Sequence, residues 1–181
     1  MMTDIVRNWR VELIRAYPNL FHPPAGHPES ARGYPWCEEG WHDLLQRLCV
    51  RLEAALREGE TIQILQIKEK FALLRVYWSG DVSPETAARL REAIALAEAR
   101  SACTCERCGA EGRLYRDGGV YMTRCAEHAQ GAPVPGEPGQ ENIPLIRLPA
   151  SNGYRIGARR YDREADSFID TPSSDAGSEE T

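Results

Sequence analysis

Two pairs of metal-ligand residues constrain the middle of this chain: Cys105-x2-Cys108 and, sixteen residues later, Cys125-x2-His128. Two residues between ligands let a tight knuckle aim both side chains at one ion, and a segment of this length is enough for a small hairpin between the knuckles. The sequence supplies one: Leu114 to Arg116 and Val120 to Thr123 flank Asp117, Gly118 and Gly119, where glycine accepts positive φ. The spacing predicts one zinc ion held by Cys105, Cys108, Cys125 and His128. Four protein ligands fill a tetrahedral shell and leave no position for an activated water, so the ion is expected to be structural. Cys103 offers a second choice of sulfur, but only Cys105 and Cys108 have the knuckle spacing. Cys49 lies in an apolar stripe and reads as core. Cys37, Glu38, Glu39, His42 and Asp43 read more simply as a helix start with an acidic rim than as a second site.

The crowding of Cys103, Cys105 and Cys108 into six positions is metal spacing and fits a reducing compartment. With no apolar run of the roughly 18 residues needed to span a bilayer, and charges among the first ten residues where a secretory signal would be apolar, the chain is expected in the cytoplasm, without a membrane. Its net charge of −5 is uneven: residues 129 to 181 hold 9 acids and 5 bases. The nearly neutral remainder has no large electrostatic excess with which to attract nucleic acid non-specifically.

The hydrophobic pattern predicts an α+β fold. A first helix capped by Thr3 carries Ile5, Val6, Trp9, Leu13 and Tyr17 on one face and should end at Pro18. After a loop rich in Pro, Gly and His, a second helix over about Trp41 to Arg57 has an apolar stripe of Trp41, Leu44, Leu45, Leu48, Cys49, Leu52, Ala55 and Leu56, with Glu53 and Arg57 set to pair on the solvent side. Thr61 to Trp78, β-branched and aromatic, reads as two antiparallel strands turning near Glu69 and Lys70. A third helix starts at Ser83 as N-cap with Pro84 at its first position. The organisation expected is a helical body with a β-hairpin (1–102), a zinc-ribbon or treble-clef-like module packed on it (103–130), and an irregular Pro- and Gly-rich extension with a disordered acidic end (131–181).

Three motifs, Gly33-Tyr-Pro-Trp-Cys37-Glu-Glu-Gly40-Trp41-His-Asp43-Leu-Leu, then Gln66-Ile-Lys-Glu-Lys-Phe71 with Leu74-Arg75-Val-Tyr77, then the two metal pairs, together resemble a group of uncharacterised bacterial and phage-encoded small zinc-binding proteins. The resemblance runs from about residue 14 to 130. It departs at Ala72, where glycine is usual, and at the loop before Cys37. It implies a single unit of helices, hairpin and zinc module, and brings no known activity with it.

No serine–histidine–aspartate order, phosphate-cradling glycine loop or paired acids appear. The metal residues lack the histidine and asparagine of an HNH nuclease, and the histidine-x-glutamate that a deaminase places before its cysteines. The expectation is therefore a non-enzymatic, zinc-stabilised module that binds a protein partner, an inhibitor or adaptor if the phage resemblance extends to role; nucleic-acid binding is the alternative. Candidate partner-binding residues are Leu145 and Leu148 of an apolar tail segment, Arg159 and Arg160 of a basic and aromatic one, and Lys68 and Lys70 at the hairpin tip. Those arginines would follow a phosphate backbone or dock on the acidic body.

Overall fold

A computed structural model describes residues 8–136, 144–150 and 153–169. Helix α1 is Trp9–Ala16, and its N-cap is Asn8, whose side chain accepts from the backbone N–H groups of Arg10 and Val11. The start expected at Thr3 lies outside the described residues. Pro18 ends α1 as anticipated, but it also opens a further turn of helix, α2 (Pro18–Phe21), because proline's fixed φ and missing N–H suit a first helical position. The loop that follows is ordered and contributes strand β1 (Pro35–Trp36) and a 3-10 turn over Glu39–Trp41 that leads directly into α3 (His42–Ala55). Since α3 stops at Ala55, the expected Glu53–Arg57 pairing is replaced: the Arg57 guanidinium lies 3.8 Å from Glu85 instead.

Strands β2 (Thr61–Lys70) and β3 (Leu73–Asp81) form the long hairpin, with a bulge between Ile64 and Gln66, and β1 adds to β2 in parallel. The reversal falls at Phe71 and Ala72, two residues later than expected, and both have positive φ (54° and 63°). Such a turn ordinarily uses Asn-Gly, since a Cβ is disfavoured there. Here the buried Ala72 is held from both sides, its N–H donating to Glu69 Oε1 (2.6 Å) and its carbonyl accepting from Thr123 Oγ1 (2.9 Å). The surroundings impose the conformation that the sequence does not favour.

Helix α4 (Pro84–Ser101) is capped by Ser83 as expected. It is alanine-rich because both its sides are covered. One side joins Leu90, Ile94 and Ala97 to a core with Leu44, Leu45, Leu48 and Leu52 of α3, Ile62, Ile64 and Ile67 of β2, and Leu74 and Val76 of β3. In that core α2 lies against β2, α3 against α4, and α4 against β3. The other side brings Ala95 and Ala99 onto Ile146 and Tyr161, with Phe168 at the edge.

Strands β4 (Arg113–Asp117) and β5 (Val120–Arg124) make the hairpin between the cysteine pairs, with Gly118 in the left-handed region at its turn. The Pro- and Gly-rich stretch that follows was expected to form no strand, yet β6 (Ala132–Pro133) pairs with β4. The extension differs more substantially from the irregular tail anticipated. Strands β7 (Leu145–Ala150) and β8 (Gly153–Ala158) pair antiparallel, as do β9 (Arg160–Asp162) and β10 (Ser167–Ile169), and β7 rests on α4. What orders it is polar as much as apolar. The buried Tyr161 donates to Asp166 and accepts from Arg100 of α4, while Asp166 is paired with Arg51 of α3 at 2.9 Å. Burial pushes the Tyr161 hydroxyl's pKa upward, and its donation to Asp166 pushes it further. The acidic end, 170–181, lies outside the described residues. The α+β class is as expected, and no helix among the described residues is long and apolar enough to cross a membrane.

Candidate metal centre

The first knuckle forms because Gly109, at φ +79°, lets the chain reverse after Cys108, and its N–H donates to the Cys105 carbonyl (2.8 Å). The second is closed by the His128 N–H to the Cys125 carbonyl (3.2 Å). Strands β4 and β5 carry the chain from one to the other and return it in register, Arg113 opposite Arg124. The three sulfurs and one ring nitrogen of Cys105, Cys108, Cys125 and His128 consequently all lie within 4.8 Å of one another. Cys108 Sγ is 3.7 Å from Cys125 Sγ, and His128 Nδ1 is 3.3 Å from Cys125 Sγ and 3.7 Å from Cys105 Sγ. With metal–sulfur bonds near 2.3 Å and metal–nitrogen near 2.0 Å, the edges of a tetrahedral shell would be about 3.8 Å for S–S and about 3.5 Å for S–N. The quartet matches a single ion in size and donor set.

Cys105 is fully buried, and burial alone would raise its thiol pKa. Backbone N–H groups at Cys125, Cys108 and Arg107, with the His128 ring, overcome that and bring it down to about 6, so the thiolate that a metal needs is favoured. Cys103 points elsewhere, its Sγ 3.4 Å from the Arg100 carbonyl. The quartet is the only such grouping among the described residues. At the other candidate site, burial pushes the Cys37 thiol up to about 12, His42 packs on the Trp9 ring at 5.1 Å, and Asp43 pairs with Arg47 at 2.8 Å.

The start of α3 grips the knuckle. Trp41, fully buried, donates its indole N–H to the Thr104 carbonyl (3.0 Å); the Glu38 N–H donates to Glu106; and Arg124 bridges Glu38 (2.5 Å) and Glu106 (3.3 Å). Gly40 is pressed so closely that an added Cβ would lie 2.3 Å from the Cys105 carbonyl oxygen. In sequence Trp41 reads as the first residue of an apolar stripe and Glu38 as part of an acidic rim, and neither pattern links them, Gly40, Glu106 or Arg124 to the knuckle. Their roles depend on contacts more than sixty positions away.

The candidate partner-binding residues separate into distinct environments. Arg159 is committed to the body: it holds both oxygens of Glu92 on α4 at 2.8 Å and stacks on Phe168 at 3.7 Å. Arg160 is exposed on β9. Leu145 and Leu148 lie on β7 opposite Ala158 and Arg155, and their side chains fall outside the described ones. Lys68 is half-buried on the outward face of β2, 5.6 Å from the Tyr77 ring centre, and Lys70 is exposed beside Phe71. Arg75, set between apolar neighbours, pairs with the buried Glu98 of α4, as does Arg147 of β7.

Fold and quartet together define an α+β protein with a sulfur-rich cluster of four side chains that could hold a metal ion. No protein-family model matches the chain, and neither the curated proteins nor the solved structures contain a significant match.

Proposed function

We propose that this chain is a non-enzymatic binding module stabilised by one structural zinc ion. The observation that carries the reading is the quartet itself: three sulfurs and a nitrogen within 4.8 Å of one another, a donor set that suits zinc and leaves it no open position. The surroundings agree, because Trp41, Glu106 and Arg124 are spent on tying α3 to the knuckle rather than on forming a reactive cleft. The ion acts as a clamp, and the exposed surfaces do the work. Among these the outward face of the β1-β2-β3 sheet carries Trp36, 71% exposed, beside Lys68, whose ammonium lies 5.6 Å from the Tyr77 ring centre.

A protein partner on the tail hairpins is the second reading, favoured by the exposed Ile156 on β8 and Ile169 on β10. An inhibitor or adaptor role, suggested by the phage resemblance, would be of this kind. Affinity capture from host extract with the full chain tests both, using Trp36→Ala and Ile156→Asp, with and without nuclease. The first reading expects specific capture that Trp36→Ala removes; the second expects nuclease-resistant capture that Ile156→Asp removes. Capture that neither changes, or turnover of a substrate by the zinc-loaded chain, would overturn the proposal.

A further inference from the structure

The outward face of the long hairpin is built by alternation. Ile67, Leu74 and Val76 face the core, so Gln66, Lys68, Lys70, Arg75 and Tyr77 face away from it. In register, Trp36 lies beside Lys68, Lys68 beside Arg75, and Gln66 beside Tyr77. Two rings are thereby presented two strands apart and two residues out of register, Trp36 71% and Tyr77 40% exposed, at a separation of about 12 Å given strand neighbours about 4.8 Å apart and a rise of about 3.4 Å per residue. Tryptophan is highly buried on average, so a ring this exposed at the side of a well-packed sheet asks for a ligand.

The charges in contact with Tyr77 have one sign. Lys68 Nζ lies 5.6 Å from the Tyr77 ring centre and Arg147 Cζ 5.3 Å from it, so cations from two elements flank one ring. At the tip Lys70 lies over Phe71, itself 71% exposed. Three neighbouring acids are engaged: Glu98 is buried between Arg75 and Arg147, Glu69 turns back to hold the Ala72 N–H, and Glu38 pairs with Arg124. Among the described residues no carboxylate takes up Lys68 or Lys70. On the outward positions of β2 and β3 the one acid is Asp81, at the far end from the turn.

We propose that this face binds single-stranded nucleic acid, with bases stacking on Trp36 and Tyr77 and the phosphates following Lys68 and Lys70. The inference rests on the binding-module reading and names its ligand. Every base has a face that stacks on an aromatic ring, and the backbone between stacked bases needs cations interleaved with the rings, which is the arrangement here. A protein interface is depleted of lysine, and here Lys68 and Lys70 stand against the rings of Tyr77 and Phe71. A duplex keeps its base faces covered, and a sheet surface with exposed rings offers it no stacking. The chain's overall charge of −5 supplies no general attraction for nucleic acid, so local stacking must carry the affinity.

The test uses the full zinc-loaded chain with fluorescein-labelled oligo-dT and oligo-U of about 12 nucleotides, a length within the range of known single-strand sites. Anisotropy is followed between about 50 and 200 mM salt, where phosphate contacts reveal themselves. Saturable binding with quenching of tryptophan emission is expected, and Trp36→Ala should weaken it about tenfold or more. Lys68→Gln should lower the slope of log affinity against log salt by about 0.7, the value for one single-strand phosphate contact. Because Trp36 is exposed, its variant should keep wild-type melting and zinc content, which separates a binding effect from a folding one. Absence of binding at the lowest salt, equal competition by unlabelled duplex, or an unchanged affinity in Trp36→Ala would each overturn the proposal. If the oligonucleotides fail while Trp36→Ala still removes nuclease-resistant capture from extract, the ligand is a protein and the module reading stands. If both fail, both readings fall.

Discussion

Replacing Gly40 by alanine tests whether the metal module and the helical body are one mechanical unit. The added Cβ would lie 2.3 Å from the Cys105 carbonyl oxygen, 2.4 Å from that of Glu106 and 2.5 Å from the Gly109 amide nitrogen. All three are backbone atoms of the knuckle, so no flexible side chain can give way. Since non-bonded heavy atoms sit comfortably at about 3.5 Å, the start of α3 and the knuckle must move apart by about 1 Å. Overpacking of this kind costs about 1–3 kcal/mol. The same movement pulls the Trp41 indole N–H from the Thr104 carbonyl, a buried bond whose loss costs a further 1–3 kcal/mol or so. Gly40→Ala should therefore lose about 2–6 kcal/mol in urea titrations of the zinc-saturated chain, with an unchanged slope m, and should bind zinc more weakly in competition with a chromophoric chelator. Gly59→Ala is the control: Gly59, unlike Gly40, has positive φ (+83°), and an added Cβ there meets nothing within 4 Å. It should cost only the left-handed penalty of about 1 kcal/mol and leave zinc affinity alone. A Gly40→Ala chain within about 1 kcal/mol of wild type would refute the account of how the knuckle is held, because the close approach would then carry no energy.

Leu48 lies fully buried at the middle of α3, and Leu48→Ala should cost about 2–5 kcal/mol by urea denaturation; below about 1 kcal/mol the stripe would not be core. The Glu60 carboxylate accepts from the Thr86 hydroxyl and from the N–H groups of Ser83 and Arg57, which hold its pKa at about 2, well below its ordinary 4.5. Because the folded state binds this proton less readily than the unfolded chain, the contribution is fully present above about pH 4.5 and lost as pH falls toward about 2. The melting-temperature gap between wild type and Glu60→Gln should accordingly narrow from pH 5 to pH 3, and a constant gap would contradict the assignment. Arg159 is held by Glu92, so Arg159→Ala should leave the salt slope of oligonucleotide binding unchanged, and a flattened slope would return the tail to the binding surface.

The strongest sequence signals were the local ones. Knuckle spacing located the four residues that cluster, heptad-like repetition from Leu44 to Leu52 located the buried side of α3, and Ser83-Pro84 located the start of α4. Each rests on residues within one or two turns of each other. What escaped depends on distant partners. The hairpin turn fell at Phe71 and Ala72, where no glycine signals it, because Glu69 and Thr123 hold the alanine in place. The tail reads as irregular in sequence because its proline and glycine content obscures strands that are secured by Tyr161, Arg147 and Arg159 reaching residues of α4. Trp36 was part of a quoted motif, but its exposure follows from β1 joining β2 in parallel across thirty residues of chain. The alternation of Leu74 and Val76 with Arg75 and Tyr77 was the available sign of an outward face.

The central claim, that Cys105, Cys108, Cys125 and His128 clamp one zinc ion, is tested most directly by X-ray absorption at the zinc edge on chain purified without added metal, with elemental analysis of the same sample. The account predicts one zinc per chain, with three sulfur neighbours at about 2.3 Å and one nitrogen at about 2.0 Å. Cys103→Ser should leave that spectrum unchanged, while Cys125→Ser should lose the metal. A shell of four sulfurs, an oxygen in place of the imidazole, or a folded chain that purifies with no metal would contradict it.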